Sequence, residues 1–252
     1  MIFNKIHNFN RIIIDWYKIH KRDLPWRNTN DPYKIWISEI ILQQTRVKFA
    51  IDYYKNFIKK FPTIDSLSEA GEDDVLKLWQ GLGYYSRARN IHYTSKILKE
   101  KYLSIFPQKY DDIIKLKGIG RYTTGAILSF SFKKKYPVVD GNVFRFFSRL
   151  FYINQFIDTN GGQNYFYTIA EKLMCEKDPD LFNQAIIEFG ALVCKPKNPT
   201  CSVCIFNDKC EANKKNKVFE LPLKKNNTKT TDRFLIFVLG TNKSIFLKKK
   251  KY

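Results

Sequence analysis

The sequence predicts an all-α body on three observations. Apolar residues recur at three- and four-residue steps, Asp-Pro pairs stand where helices would begin, and no convincing run of alternating residues occurs before residue 230. Phe9, Ile13, Trp16 and Ile19 form the first apolar stripe. Asp31-Pro32 reads as an N-cap with a first-turn proline and opens a helix over about 32–45. Val47, Ile51, Tyr54, Ile58 and Phe61 line one face of a long helix. Leu116 to Thr123 reads as a helix end, a Gly-x-Gly turn and the start of another helix. Asp178-Pro179 opens a helix over 179–193, with Phe182, Ile186, Phe189 and Val193 on its apolar face. After Pro222 a lysine- and threonine-rich linker leads to FLIFVLGTNKSIFL, two short apolar runs that predict a β-hairpin. A hairpin alone is marginal in water, so it docks on the body or belongs to a larger domain.

The length, 252 residues, allows one large domain or two small ones sharing a cleft. At 44% hydrophobic and 27% charged the composition is that of a soluble globular protein. No apolar run approaches the roughly 20 residues a membrane helix needs. The start does not read as a secretory signal, because three isoleucines are cut short by Asp15, and the chain is expected in the cytoplasm. The net charge of +20 favours a polyanionic partner, with two discounts. Lysine outnumbers arginine 34 to 10, as A/T-rich codons alone would produce, and residues 214–252 hold 12 of the 44 basic residues.

Four of the five cysteines fall within seventeen residues: Cys194, Cys201, Cys204 and Cys210, spaced C-x6-C-x2-C-x5-C. Thiolates bind soft metal centres, and a compact loop wraps four of them around one centre without long-range help. The spacing points to a [4Fe–4S] cluster ahead of zinc, whose usual signature is two paired knuckles where this loop has one. Cys175 stands apart on an apolar stretch and is expected to be a core thiol.

In the Gly118-Ile-Gly120-Arg121 turn, two glycines let backbone N–H groups approach an anion, and the following helix N-terminus adds a favourable dipole. This suits a DNA phosphate, and equally a plain helix–helix turn. Asp140, between an apolar approach and Gly-Asn142, is a helix N-cap, a positioned acid, or both. Glu39 has Ile35 and Leu42 on its own helical face, surroundings that disfavour the carboxylate and raise its pKa. A raised Glu beside a better-solvated, ionised Asp is the division of labour known from glycoside hydrolysis.

Six blocks, in order, carry a resemblance: Leu24-Pro-Trp26-Arg27 with Asp31 to Thr45, Trp79 to Asn90, Leu116 to Ile127, Val139 to Val143, Phe182 to Ala185, and the cysteine loop. Over residues 10–222 the chain resembles the helix–hairpin–helix DNA glycosylases, and within them the adenine DNA glycosylases of the MutY type. Endonuclease III shares several blocks, but there a lysine forms a Schiff base with the sugar. Here that position is Tyr122, and a phenol cannot form an imine.

The resemblance implies two helical domains with the catalytic cleft between them. Residues 1–28 and 134–222 would form the iron–sulfur domain, and 29–133 a helical-barrel domain with the hairpin motif. Residues 223–252 would be a basic linker and the remnant of a Nudix-like domain. The implied activity is hydrolysis of the N-glycosidic bond of adenine mispaired with 8-oxoguanine or guanine, by a monomer acting on double-stranded DNA, with no membrane partner. Glu39 would protonate N7 of the purine and Asp140 stabilise the oxocarbenium-like sugar, with Tyr122 and Asn142 holding them. Leu24, Trp26, Arg27, Val47 and Gln184 match base-pocket positions, and Gln44, Leu82 and Tyr84 match positions that fill the gap and contact the opposite purine. Gly118, Gly120 and Arg121 would meet the DNA backbone, and the cluster would brace a loop carrying Lys195, Lys197 and Lys209 near phosphates. Because the chain ends where the lesion-reading domain would begin, the expected preference for 8-oxoguanine over guanine is reduced. Two other classes fit parts of the pattern: a bifunctional pyrimidine glycosylase/lyase, and a non-catalytic iron–sulfur DNA-binding protein.

Overall fold

The computed structural model describes residues 7–225, together with the backbone of 234–241 and 244–251. The linker residues 226–233 lie outside the described residues, as do the side chains of Lys248 to Lys251.

The helices follow the predicted stripes with local shifts. α1, Phe9–His20, buries Phe9, Ile13, Ile14, Trp16 and Tyr17. Ile19, expected on that face, is 79% exposed; Tyr17, one residue past Trp16, takes the inward place instead. α2, Pro32–Leu42, starts where expected, with the Asp31 carboxylate accepting from the Tyr33 N–H at 2.9 Å. It stops three residues short of the expected end, because Gln44 turns into the left-handed region at φ 57°. Along α2 every residue from Ile35 to Ile41 is buried, so this helix is enclosed on all sides. α3, Val47–Lys60, turns Ala50, Tyr54 and Phe57 fully inward, while Val47, Ile51 and Ile58 pack at the edge of the core.

Short helices α4 (Ile64–Ser68) and α5 (Glu72–Leu78) lead to α6, Ser86–Tyr102, and α7, Tyr110–Ile113. α8, Arg121–Phe132, follows the glycine turn, and α9, Gly141–Phe151, follows Asp140. α10 is Asn160–Leu173. α11, Pro179–Leu192, begins at the expected proline, but the Asp178 side chain makes no capping bond. α12, Glu211–Lys214, closes the cysteine loop. Beyond it, β1 (Phe234–Thr241) and β2 (Ser244–Lys251) pair antiparallel, with Phe234 opposite Lys251 and Thr241 opposite Ser244. Among the described residues no helix is long and apolar enough to cross a membrane.

Burial gathers into two main cores. One runs from Leu24 to Leu128 around Trp36, Phe57 and Trp79; the other joins α1 to α9, α10 and α11 around Phe147, Phe166, Phe182 and Phe189. Each such fully buried side chain contributes about 1.5–3 kcal/mol. Asn183, completely buried, stitches α11 to α8. Its amide donates to Ser129 Oγ at 2.8 Å and to the Tyr136 carbonyl at 2.9 Å, and its oxygen accepts from the Val138 N–H at 3.0 Å. Every polar atom of that amide is used, and the segment leading to Asp140 is fixed as a result. Gly190 lets α11 approach the start of α9: a Cβ there would stand 2.7 Å from the Asn142 carbonyl oxygen.

Candidate active site

A cleft of about 860 Å³ opens between the two cores, within the usual range for small-ligand sites. Leu24, Trp26, Arg27, Glu39, Val47, Gly120, Arg121, Tyr122, Asp140, Asn142 and Gln184 all line it. The two carboxyl groups that the sequence singles out therefore share one hollow.

Glu39 reaches the cleft from the enclosed helix α2 and is 6% exposed. Burial drives its carboxyl up to about 7; the Tyr122 hydroxyl, which donates to it, opposes the rise, the nearby Asp140 adds to it and Arg27 subtracts. The group thus keeps its proton on about half of the molecules at pH 7, against almost none for an ordinary glutamate, and can serve as an acid.

Asp140 caps α9. Its Oδ1 accepts from the Asn142 and Val143 N–H groups, both at 2.9 Å, and its Oδ2 accepts from the Asn142 side-chain amide at 2.6 Å. Burial raises this carboxyl too, while those three donors and Arg145 pull it back. The sequence leads one to expect solvent to keep Asp140 ionised; the structure assigns that task to N–H donors and the positive end of α9. Asn142 is held in turn by Arg145, whose NH2 donates to its Oδ1 at 2.8 Å and to the Gly190 carbonyl at 2.7 Å, while Nε donates to the Cys194 carbonyl at 2.7 Å. A continuous line of hydrogen bonds therefore runs from the cysteine loop to Asp140.

The opposite wall rests on Glu188, whose side chain has no exposed surface. Arg27 grips it with two bonds of 2.8 and 2.7 Å, and Arg22 with two more of 2.9 and 2.6 Å. Burial alone would push Glu188 up, but Arg27 and Arg22 outweigh it and hold it at about 2. Gln184 is fixed by the Tyr17 hydroxyl, which donates to its Oε1. Arg22, Glu188 and Arg145 are absent from the sequence-predicted set. Isolated charges carry no spacing signal, and only the folded contacts give them a place.

Gly118, at φ 82°, turns the chain between α7 and α8, and a Cβ there would meet Asn90 at 2.8 Å. Gly120 is different: its backbone is extended and nothing lies within 4 Å of where a Cβ would be. Arg121, expected at a phosphate, lies on the Tyr167 ring at 3.6 Å and donates to Asn164 Oδ1, so its guanidinium has protein partners. Gln44 and Tyr84 stand outside the cleft on exposed turns, Tyr84 with 64% of its surface open, and Leu82 packs at the edge of the first core.

All five cysteines are free, and Cys175 packs against the second core. Cys194, Cys201, Cys204 and Cys210 line one small cavity beside Phe146 and Phe206. Arg149 NH1 points at Cys194 Sγ at 3.6 Å and the Phe206 N–H at Cys204 Sγ at 3.4 Å, contacts that favour sulfur bearing negative charge. Burial pushes Cys194 and Cys210 up and Cys204 to about 12, so the thiolates need a cationic centre to offset the desolvation. Among the described residues no three His, Cys, Asp or Glu side chains are spaced for a single metal ion. Four thiols lining one cavity are a donor set that fits a cluster held by thiolates. Lys197 and Lys209 are exposed on this loop and Lys195 is half-exposed.

Residues 37–163 match the family model described as HhH-GPD superfamily base excision DNA repair protein. The chain is 45% identical over 248 residues to the adenine DNA glycosylase of Buchnera aphidicola subsp. Baizongia pistaciae, covering 96% of this chain and 70% of that protein. Against the adenine DNA glycosylase of Buchnera aphidicola subsp. Schizaphis graminum it is 45% identical over 221 residues, 87% of this chain and 64% of the relative. The human adenine DNA glycosylase is 37% identical over 213 residues, 81% of this chain and 39% of its own length. The chain thus spans between 39% and 70% of the length of these relatives. Among solved structures, a thermostable thymine-DNA glycosylase superposes with a TM-score of 0.76 at 27% identity, over 82% of this chain and 95% of the other. A non-covalent endonuclease III–DNA complex superposes with a TM-score of 0.70 at 22% identity, over 82% and 95%, a likeness of fold.

Proposed function

The chain belongs to the HhH-GPD superfamily of base excision DNA repair proteins, and we propose that it is a monofunctional adenine DNA glycosylase acting on adenine mispaired with guanine or 8-oxoguanine. The observation that carries this reading is the pairing, in one cleft, of a carboxyl that burial raises to about 7 with a carboxylate held by three N–H donors. An adenine leaves poorly as an anion, so base release needs a proton on the ring nitrogen and a counter-charge for the sugar cation.

Extruding an adenine from the duplex costs a few kcal/mol, least at a mispair. Once the base is in the cleft, Glu39 donates its proton to N7, with Tyr122 holding the carboxyl in place through its own O–H. The C1′–N9 bond breaks, its electron pair stays with the neutral base, and the sugar becomes cationic. Asp140 stabilises that cation, and water completes the hydrolysis. Leu24, Trp26, Val47, Arg27 and Gln184 enclose the base, the last two supplying polar contacts to its edge. Among the described residues no lysine lines the cleft, which leaves no amine for a Schiff base and favours hydrolysis over β-elimination. Cys194, Cys201, Cys204 and Cys210 would hold a [4Fe–4S] cluster, which supplies a structural brace when bound. The chain acts as a monomer on duplex DNA.

Incubation with an A·G duplex tests this directly. Free adenine and an intact strand until alkali is added are expected; nicking without alkali would establish the lyase, and binding without base release the non-catalytic reading.

A further inference from the structure

Arg87 is a buried cation that the proposed chemistry does not use. It is 8% exposed, and among the described residues no carboxylate forms an ion pair with it. Its guanidinium instead donates to backbone carbonyls from two separate segments. NH1 donates to Ile40 at 2.9 Å, to Ile41 at 3.2 Å and to Gln43; NH2 donates to Leu82 at 3.1 Å and Gly83 at 3.2 Å. Capping the spare carbonyls of α2 would account for the first three bonds alone. The other two tie that helix end to a second loop, some forty residues further along the chain.

In both segments the residue after the last clamped carbonyl is exposed and lies in the left-handed region: Gln44 at φ 57° after Gln43, and Tyr84 at φ 47° after Gly83. Such backbone persists only where the surroundings over-determine it. The guanidinium also lies over the Trp79 and Tyr84 rings, at 5.2 and 5.8 Å, and Trp79 Nε1 donates to the Gly83 carbonyl at 3.1 Å. One side chain therefore fixes the spacing between an outward amide and an outward phenol beside the cleft, since 43 and 45–47 line its rim.

We propose that Arg87 is a positioning residue that locks Gln44 and Tyr84 as a two-pronged reader of the DNA base stack. This rests on the DNA-repair reading above and adds the device that holds the prongs at a set separation. Arginine is suited to it, because its planar fork sets one donor nitrogen on each loop, whereas lysine carries all its donors on a single nitrogen.

The test is affinity for an A·G duplex in a Glu39→Gln background, where the base stays in place. Arg87→Lys keeps the charge and is expected to weaken binding about tenfold. When Gln44 and Tyr84 are both alanine, the same change should weaken it less than about twofold, because the prongs it aligns are gone. An equal loss in both backgrounds, or no loss in the first, would overturn the proposal. In the chain with Glu39 intact, the alkaline limb of the excision rate near pH 7 should stay fixed in Arg87→Lys. Should Arg87→Lys fail to fold, Gly83→Ala serves instead. It strains the same loop from φ 70° with open space around it, and its effect should vanish with Tyr84→Ala; an effect that persists would count against the clamp. Adenine release by the unmodified chain is read separately, so a non-additive pattern without base release would uphold the clamp and remove the glycosylase.

Discussion

At the scale of single residues, Glu39 and Asp140 are both displaced upward from their ordinary values, by burial first, and the pH dependence follows. The proposed mechanism requires Asp140 ionised and Glu39 protonated, so the single-turnover rate should be bell-shaped. Its acid limb should lie above the ordinary aspartate value of 3.8, and its alkaline limb near 7. A rate still rising at about pH 9 would contradict the assignment. The same shift predicts stability. Glu39 holds its proton more tightly folded, up to about 7, than unfolded at 4.5, so its contribution is full below 4.5 and is lost as pH rises through 7. Denaturant melts should therefore show Glu39→Gln gaining about 3 kcal/mol on the parent between about pH 4.5 and pH 8.5. An equal difference at both values would mean the carboxyl titrates normally.

The elements explain why these residues work together. α2 is buried on every side, and that enclosure gives Glu39 its raised proton affinity. In the sequence the enclosure was visible only as Ile35 and Leu42 on one face; the other flanks are supplied by α3 and α8, which no local pattern reveals. Asp140 was legible as a cap before Gly-Asn142, because capping is local chemistry. Its tether through Arg145 to the Cys194 carbonyl spans 49 positions from residue 145 and left no mark in the spacing. Ile19 misled for the same reason: a stripe gives a period, while the partner helix chooses which residues at its edge turn inward. The Glu188 anchor under Arg22 and Arg27 is likewise non-local. Glu188→Gln should cost about 1.5–3 kcal/mol in denaturant melts by weakening the charge-assisted bonds of two partly exposed guanidinium groups. It should also slow excision with Glu39 still titrating near 7. A variant as stable as the parent would mean the pair adds nothing beyond packing.

Over the whole molecule, the two cores meet at a cleft that each supplies with one carboxyl, so the proposed catalysis requires them to stay in register. The cysteine loop braces the second core's side of the cleft, through Arg145 and Arg149. Purified protein should carry about four irons and four sulfides per chain, as one [4Fe–4S] centre requires. Zinc at one per chain would replace that reading. Replacing Cys204 by serine should lower the melting temperature and, through Arg145, the excision rate together. The excess of lysine predicts duplex binding that weakens steeply with salt, the slope counting the phosphates neutralised. Lys197→Ala and Lys209→Ala should each flatten that slope by about one unit if they meet phosphates.

The claim on which the rest stands is the acid–carboxylate division between Glu39 and Asp140. Single-turnover adenine release from an A·G duplex, compared among the parent, Glu39→Gln and Asp140→Asn at neutral pH, tests it most directly. Release by the parent is expected, with losses of at least about 100-fold in each variant while duplex binding is retained. Either variant releasing adenine at the parental rate would contradict the account.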